Sequence, residues 1–186
     1  MRRLARITLL AVCALAALVA AGCNKEEQVH LAATEGIYVT VDDLKYQIQI
    51  SRILDPASRE DQAYLRGVPE TETLSEDEVW YGIFMRVEND TEEPHPMATD
   101  YVIRDTQDNE FEPIDIDPAL NVFTYEPTDL PPETVYPRLN SPAADNTIRG
   151  GLLLFKIPAS ALGNRPLELE IESPTGGQNA VIDIDI

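Results

Sequence analysis

The stretch Val79-Trp80-Tyr81-Gly82-Ile83-Phe84-Met85-Arg86-Val87-Glu88-Asn89 decides the fold. Val79, Tyr81, Ile83, Met85 and Val87 recur at every second position, the period of a β-strand, whose side chains point alternately to opposite faces. Trp80 and Phe84 lie at the intervening positions with Gly82 between them, so the other face is apolar too. A strand that is apolar on both faces belongs at the centre of a packed sheet. Asn89-Asp90-Thr91-Glu92-Glu93-Pro94 ends it.

Toward the C-terminus, Ile148 to Ile157 (IRGGLLLFKI) reads as a second buried strand. Phe84 and Leu154, each central in its strand, are expected in one core. Tyr101 to Arg104 reads as a strand and Gln107-Asp108-Asn109-Glu110 as a turn, with Asn109 expected in the left-handed conformation; Phe111 and Ile114 begin the return. Pro158 to Gly163 allows one helical turn. Leu167, Leu169 and Ile171 alternate with glutamates, and Ile182, Ile184 and Ile186 with Val181, Asp183 and Asp185, which predicts two strands with one wet face each.

Toward the N-terminus, Ile37, Val39 and Val41 alternate, and Leu44, Tyr46, Ile48 and Ile50 resume in the opposite phase after Asp42-Asp43. A two-residue turn explains the phase change and pairs Val41 with Leu44, Val39 with Tyr46 and Ile37 with Ile48. A bulge in one long strand is the alternative. Ser58-Arg59-Glu60-Asp61 resembles a helix cap and predicts a short helix to Leu65 or Arg66, stopped by Gly67 and Pro69. About eight short strands, turn signals between them and little helix define an all-β chain, folded as an antiparallel β-sandwich.

Between Pro113 and Asn146 the alternation dissolves. Seven of the 14 prolines fall there, and proline gives a sheet ladder no donor. Phe123, Tyr125 and Tyr136 in this connection either plug an open edge of the core or serve a functional loop.

The chain starts with Arg2, Arg3 and Arg6, followed by an uncharged apolar run from Ile7 to Ala21. This is the layout of a secretory signal, and it is shorter than the roughly 20 residues of a membrane span. Leu18-Val19-Ala20-Ala21-Gly22-Cys23 closes it and resembles the bacterial lipobox, although that motif most often has Leu where Ala20 stands. The resemblance implies a diacylglycerol on Cys23, a cleaved signal at 1–22, and a flexible tether at 23–35 ahead of a domain at 36–186. The anchor would place the protein at the extracytoplasmic face of the cell membrane.

Cleavage would remove three arginines, leaving 11 basic residues against 33 acidic, or −22, compared with −19 for the whole chain. Such a surface is set against nucleic acid, whose binding neutralises phosphates, and against anionic headgroups. Solubility explains the acidity; binding of a cation or a basic partner is the alternative. Cys13 would leave with the signal and Cys23 would carry lipid, so no thiol remains for a disulfide or metal site.

Little else carries chemistry. The two histidines, His30 in the tether and His95 in a turn, flank no Gly-x-Ser-x-Gly elbow, and the acids fall mostly in turns and on wet faces; no enzyme is expected. His95-Pro96-Met97 resembles the His-x-Met pair of periplasmic copper chaperones, imidazole and thioether being suited to Cu(I). Asp115 with Asp117, and Asp183 with Asp185, would share strand faces and offer oxygens to Ca²⁺. Amphipathic strands alone explain that spacing, and no Asp-x-Asp-x-Asp-Gly loop is present. No cofactor or metal site is assigned.

From about Gly36 to Ile186 the order of elements is similar to bacterial domains of unknown function with an immunoglobulin-like, telokin-like sandwich. These occur in lipoproteins and in secreted relatives of immunoprotective antigens. The resemblance rests on the Trp80–Asn89 strand, the Asp108-Asn109-Glu110-Phe111 hairpin, with Asn109 in place of the family's Gly, and Gly150-Gly151-Leu152-Leu153-Leu154-Phe155-Lys156-Ile157-Pro158. The family's Pro-Gly-Glu turn is missing; Ser141-Pro142-Ala143-Ala144-Asp145 stands there. The resemblance implies a fold and an envelope location, not an activity. The expectation is a lipid-anchored, non-enzymatic binding or scaffolding module for an envelope protein partner, the alternative a lipoprotein handling Ca²⁺ or Cu(I).

Overall fold

The computed structural model describes residues 30–184; the signal and Cys23 lie outside the described residues. The chain forms an antiparallel β-sandwich. One sheet contains β2 (Val39–Val41), β3 (Leu44–Leu54), β4 (Glu78–Asn89) and β10 (Gly151–Pro158), with β9 (Thr134–Tyr136) pairing the end of β4 beyond β10. The facing sheet runs in the order β1 (Leu31–Ala32), β12 (Ala180–Ile184), β11 (Leu167–Ile171), β6 (Tyr101–Arg104) and β7 (Glu110–Phe111). A small pair, β5 (His95–Pro96) with β8 (Asp129–Leu130), stands apart. All these pairings are antiparallel except β1 with β12.

β4 is the central strand that its two apolar faces demand. Tyr81, Ile83, Met85 and Val87 are fully buried between the sheets, in one core with Ile103, Leu169 and Ile182. Trp80 and Phe84 point the other way, into a second core with Tyr64, Ile116, Leu152 and Leu154. Phe84 and Leu154 thus share a core, as expected. Among the described residues no sheet covers this second face: the loops between β3 and β4 and between β7 and β10 fold over it as a third layer. Gly82 makes room there, since a Cβ would sit 3.0 Å from Leu54 and 3.1 Å from Leu152.

The turn at Asp42-Asp43 forms, with Asp42 at φ +51°, and Val39 pairs Tyr46 while Val41 pairs Leu44. Ile37 does not join: β2 starts at Val39, and Ile37 is 43% exposed. The backbone N–H of Gly36 instead donates to Ile48 O at 3.0 Å. β3 also carries a register shift between Ile48 and Ile50. The helix expected after Ser58 shrinks to a 3-10 turn, Asp61–Ala63. The Asp61 carboxylate that opens this turn pairs with Arg52 and accepts from Asp55 N at 2.9 Å. The strand expected from Ile148 begins only at Gly151.

The long connection closes an edge, as expected for its aromatics. Tyr125 N donates to Leu152 O at 2.8 Å and Leu152 N to Phe123 O at 2.7 Å, so this segment pairs with β10. Tyr136 lies against Gly151, where a Cβ would meet its ring at 2.5 Å. Tyr101 donates to Tyr125 at 2.7 Å inside the main core, and burial pushes both phenols well above their usual range.

The hairpin after β6 corrects one expectation. Asp108, at φ +62°, takes the left-handed position, not Asn109. The Asn109 side chain is committed to Asp105, donating at 2.8 Å; Asp105 also accepts from Asn164 Nδ2 at 2.7 Å and from the backbone of Gln107 and Asn109. These donors, the Asn109 amide foremost, hold the Asp105 carboxyl down at about 2 against the opposing effect of burial. A depressed carboxylate stabilises the fold above its unfolded value of about 4 and ceases to do so as pH falls through its folded value. Asp105→Asn should therefore melt several degrees below wild type at neutral pH, with the gap closing between about pH 4 and pH 2. Melting curves across that range test this; a gap that does not change with pH would remove Asp105 as its source.

Candidate functional site

The sequence singled out few residues with chemistry, and the fold gathers several of them at one end. A cleft of about 370 Å³ is lined by His30, His95, Asp42 and Asp43, together with Thr175 and Gly177. His30, assigned by the sequence to the tether, is tied into the domain: its Nδ1 donates to Thr40 O at 2.8 Å, and its own carbonyl accepts from Val181 N at 2.9 Å. A carbonyl only accepts, so Nδ1 carries the proton. Leu31–Ala32 then pair with β12. The expected tether 23–35 therefore reaches the ordered domain by His30, not at residue 36.

His95 lies in β5, with Nε2 2.9 Å from Thr91 Oγ1 and Nδ1 3.6 Å from Asp43 Oδ2. Thr91 Oγ1 also lies 2.8 Å from Asn89 Oδ1 and 3.0 Å from Glu93 O. The other ring nitrogen, Nδ1, faces the Asp43 carboxylate. Asp42 accepts from Ser173 Oγ at 2.9 Å, joining the β2–β3 turn to the turn before β12. The cleft thus joins four chain segments.

The Cu(I) pair is not assembled. Met97 is buried at 2% exposure in the main core, while His95 lines the cleft. The first Ca²⁺ pair does not share a strand face. Asp115 and Asp117 lie in a loop after β7 and not on a strand, and the Asp117 side chain accepts from Ala119 N at 2.9 Å. Asp183 sits on the outer face of β12 opposite Glu168, and Asp185 lies outside the described residues. Among the described residues no three His, Cys, Asp or Glu side chains are grouped to hold a metal. No helix there is long and apolar enough to cross a membrane.

What the sequence missed is the membership of His30 in this cleft. The signal was available only in hindsight of topology: Leu31–Ala32 is too short to show a period.

No protein-family model matches the chain, and no curated protein does. Solved structures do. The yjhA protein of Bacillus subtilis is 12% identical, with a TM-score of 0.55 over 82% of this chain and 99% of that one. A functionally unknown protein of Listeria monocytogenes is 9% identical, with a TM-score of 0.50 over 83% and 84%. These likenesses show a shared fold. The B. subtilis protein ycdA, provisionally described as a lipoprotein, reaches a TM-score of 0.46 at 11% identity, over 78% of this chain but 38% of that one, too low to establish a common fold. The class defined is an all-β sandwich with extra loop cover.

Proposed function

We propose that this is a lipid-anchored envelope protein of the telokin-like kind. It is held by a diacylglyceryl group on Cys23 at the extracytoplasmic face of the cell membrane, and its sandwich binds or scaffolds another envelope component without catalysis. One observation carries the reading: the run from Leu18 to Cys23 behind Arg2, Arg3 and Arg6. Geometry supports it. Seven Cα steps separate Cys23 from His30, a reach of at most about 25 Å. The end bearing the His30–His95 cleft therefore faces the membrane, and the rest of the sandwich projects outward. The acidic surface sets the protein against nucleic acid and lets lipid, not charge, hold it to the bilayer.

The test is Cys23→Ser in the native host. The wild type should partition with membranes and incorporate labelled palmitate; the variant should lose the label and leave the membrane fraction. A variant that is processed and retained like wild type makes the anchor reading wrong.

A further inference from the structure

The loop layer over Trp80 and Phe84 contains a groove. Two adjoining hollows, of about 580 and 320 Å³, share Pro69 and Asp115. One wall is the loop after the 3-10 turn, through Gly67, Val68 and Pro69; the other runs from Pro113 to Leu120. The walls are fixed to each other and to the sheet. Asp117 N donates to Gly67 O at 3.3 Å and Ile114 N to Leu154 O at 2.6 Å. The buried Asn121 amide donates to Tyr64 O at 2.7 Å and Arg66 O at 2.9 Å. Pro69, Pro113 and Pro118 stiffen the rim by fixing φ. The groove is preformed, which lowers the ordering cost of binding.

Its surface is apolar with an acidic border. Leu120 lines it and is 63% exposed. Glu70, Glu112, Asp115 and Asp117 stand around the apolar groups. Lys156, the one cation among the described lining residues, is matched to Glu72 at 2.6 Å. An occupant must therefore bring apolar side chains for the floor and positive charge for the border. A metal ion lacks the first, and nucleic acid and anionic lipid have the wrong charge.

The groove also opens at the useful end. On β4, Trp80 pairs Lys156 at the groove while Glu88 pairs Lys45 beside the His30 cleft. Eight residues of strand separate them, about 26 Å. The geometry points to this groove as the docking site for an extended protein segment that alternates Lys or Arg with apolar residues, presented by an envelope partner on the side away from the membrane. The inference rests on the reading of the domain as a binding module and names the partner's chemistry.

The full chain, purified in detergent, is titrated at 0.15 M salt against a fluorescein-labelled peptide of three Lys-Leu-Pro repeats, read by anisotropy. Saturable binding is expected. Leu120→Ser, and separately Glu70→Gln with Asp115→Asn, should each weaken it at least tenfold. All three positions are exposed, and melting curves will show the variants folded. Asp183→Asn, on the opposite sheet, should leave binding unchanged, and the Glu-Leu-Pro counterpart should not bind. Equal affinity in groove variants and wild type, displacement by spermine at equal charge concentration, or no binding up to millimolar peptide would each overturn the assignment. Because the assay uses solubilised protein, its failure leaves the Cys23 anchor standing, and failure of fractionation leaves the groove standing.

Discussion

Phe84→Ala should lower the free energy of unfolding by about 3–5 kcal/mol, the range for deleting a buried phenyl ring. Phe84 has no exposed surface. Its ring meets Tyr64 edge-on at 5.0 Å, and Tyr64 meets Phe123 at 4.9 Å. The three rings link the central strand to both covering loops, so the cavity opens where the loop layer is joined to the sheet. Aromatic pairs of this geometry add about 0.5–1.5 kcal/mol beyond area burial, which places the cost toward the upper part of the range. At about 2–4 °C per kcal/mol for a chain of this size, Tm should fall on the order of 10 °C. Calorimetry of the variant checks this. Melting within a degree or two of wild type would remove Phe84 from the second core.

Asn89→Leu should cost about 3 kcal/mol or more, although Leu is close in size and the site is fully buried. The Asn89 amide nitrogen donates to Glu93 O and Leu130 O, both at 2.8 Å, and lies 3.1 Å from Pro131 O. Its oxygen accepts from Thr91 N at 3.0 Å and Thr91 Oγ1 at 2.8 Å. One side chain thus ties the end of β4 to the turn after it and to β8. A leucine leaves these groups buried without partners, at about 1–3 kcal/mol for each that water cannot reach. Asn89→Asp keeps the acceptors and loses the donors, so it should also be severely destabilised. Urea denaturation gives both values; an Asn89→Leu variant within half a kcal/mol of wild type would show that water replaces the amide there.

The strands were legible wherever one period ran long enough. β4 showed both faces over twelve residues, and β11 and β12 showed their wet faces through Glu168, Glu170 and Asp183. What covers the second face of β4 was not legible, because loops have no period and the covering residues, such as Tyr64 and Phe123, come from segments far apart in the chain. Left-handed backbone at Asp108 instead of Asn109 turned on a tertiary demand: Asp105 needs the Asn109 amide, and either residue tolerates the conformation. The helix expected after Ser58 is a single 3-10 turn, and its Asp61 carboxylate serves Arg52 of β3, a tertiary pairing the local pattern does not show. Of the candidate site, His95 was legible as chemistry but not its partners. The His-x-Met spacing to Met97 suggested a copper pair, yet β5 ends at Pro96 and the thioether turns into the core. The groove left no mark in the sequence beyond its prolines, since its two walls come from segments far apart in the chain and meet through the hydrogen bonds of Asp117 and Asn121 and the close packing of Gly67 on Ile116 and Leu120.

The shortest element of the sandwich sets how the protein bears a load. With the proposed anchor on Cys23, a pull from the membrane would pass through Leu31–Ala32, two residues laid parallel against β12, with Val181 N on His30 O at their head. Few bonds share the strain there, whereas β3 and β4 are clasped over nearly their whole length. Under tension the clip peels first and frees the chain as far as Glu35, whose carboxylate accepts from Ser51 N at 3.1 Å, five Cα steps or roughly 17 Å of slack. The rest of the sandwich stays shut. Under the proposed anchor the clip would act as a shock absorber, lengthening the leash before the force reaches the core.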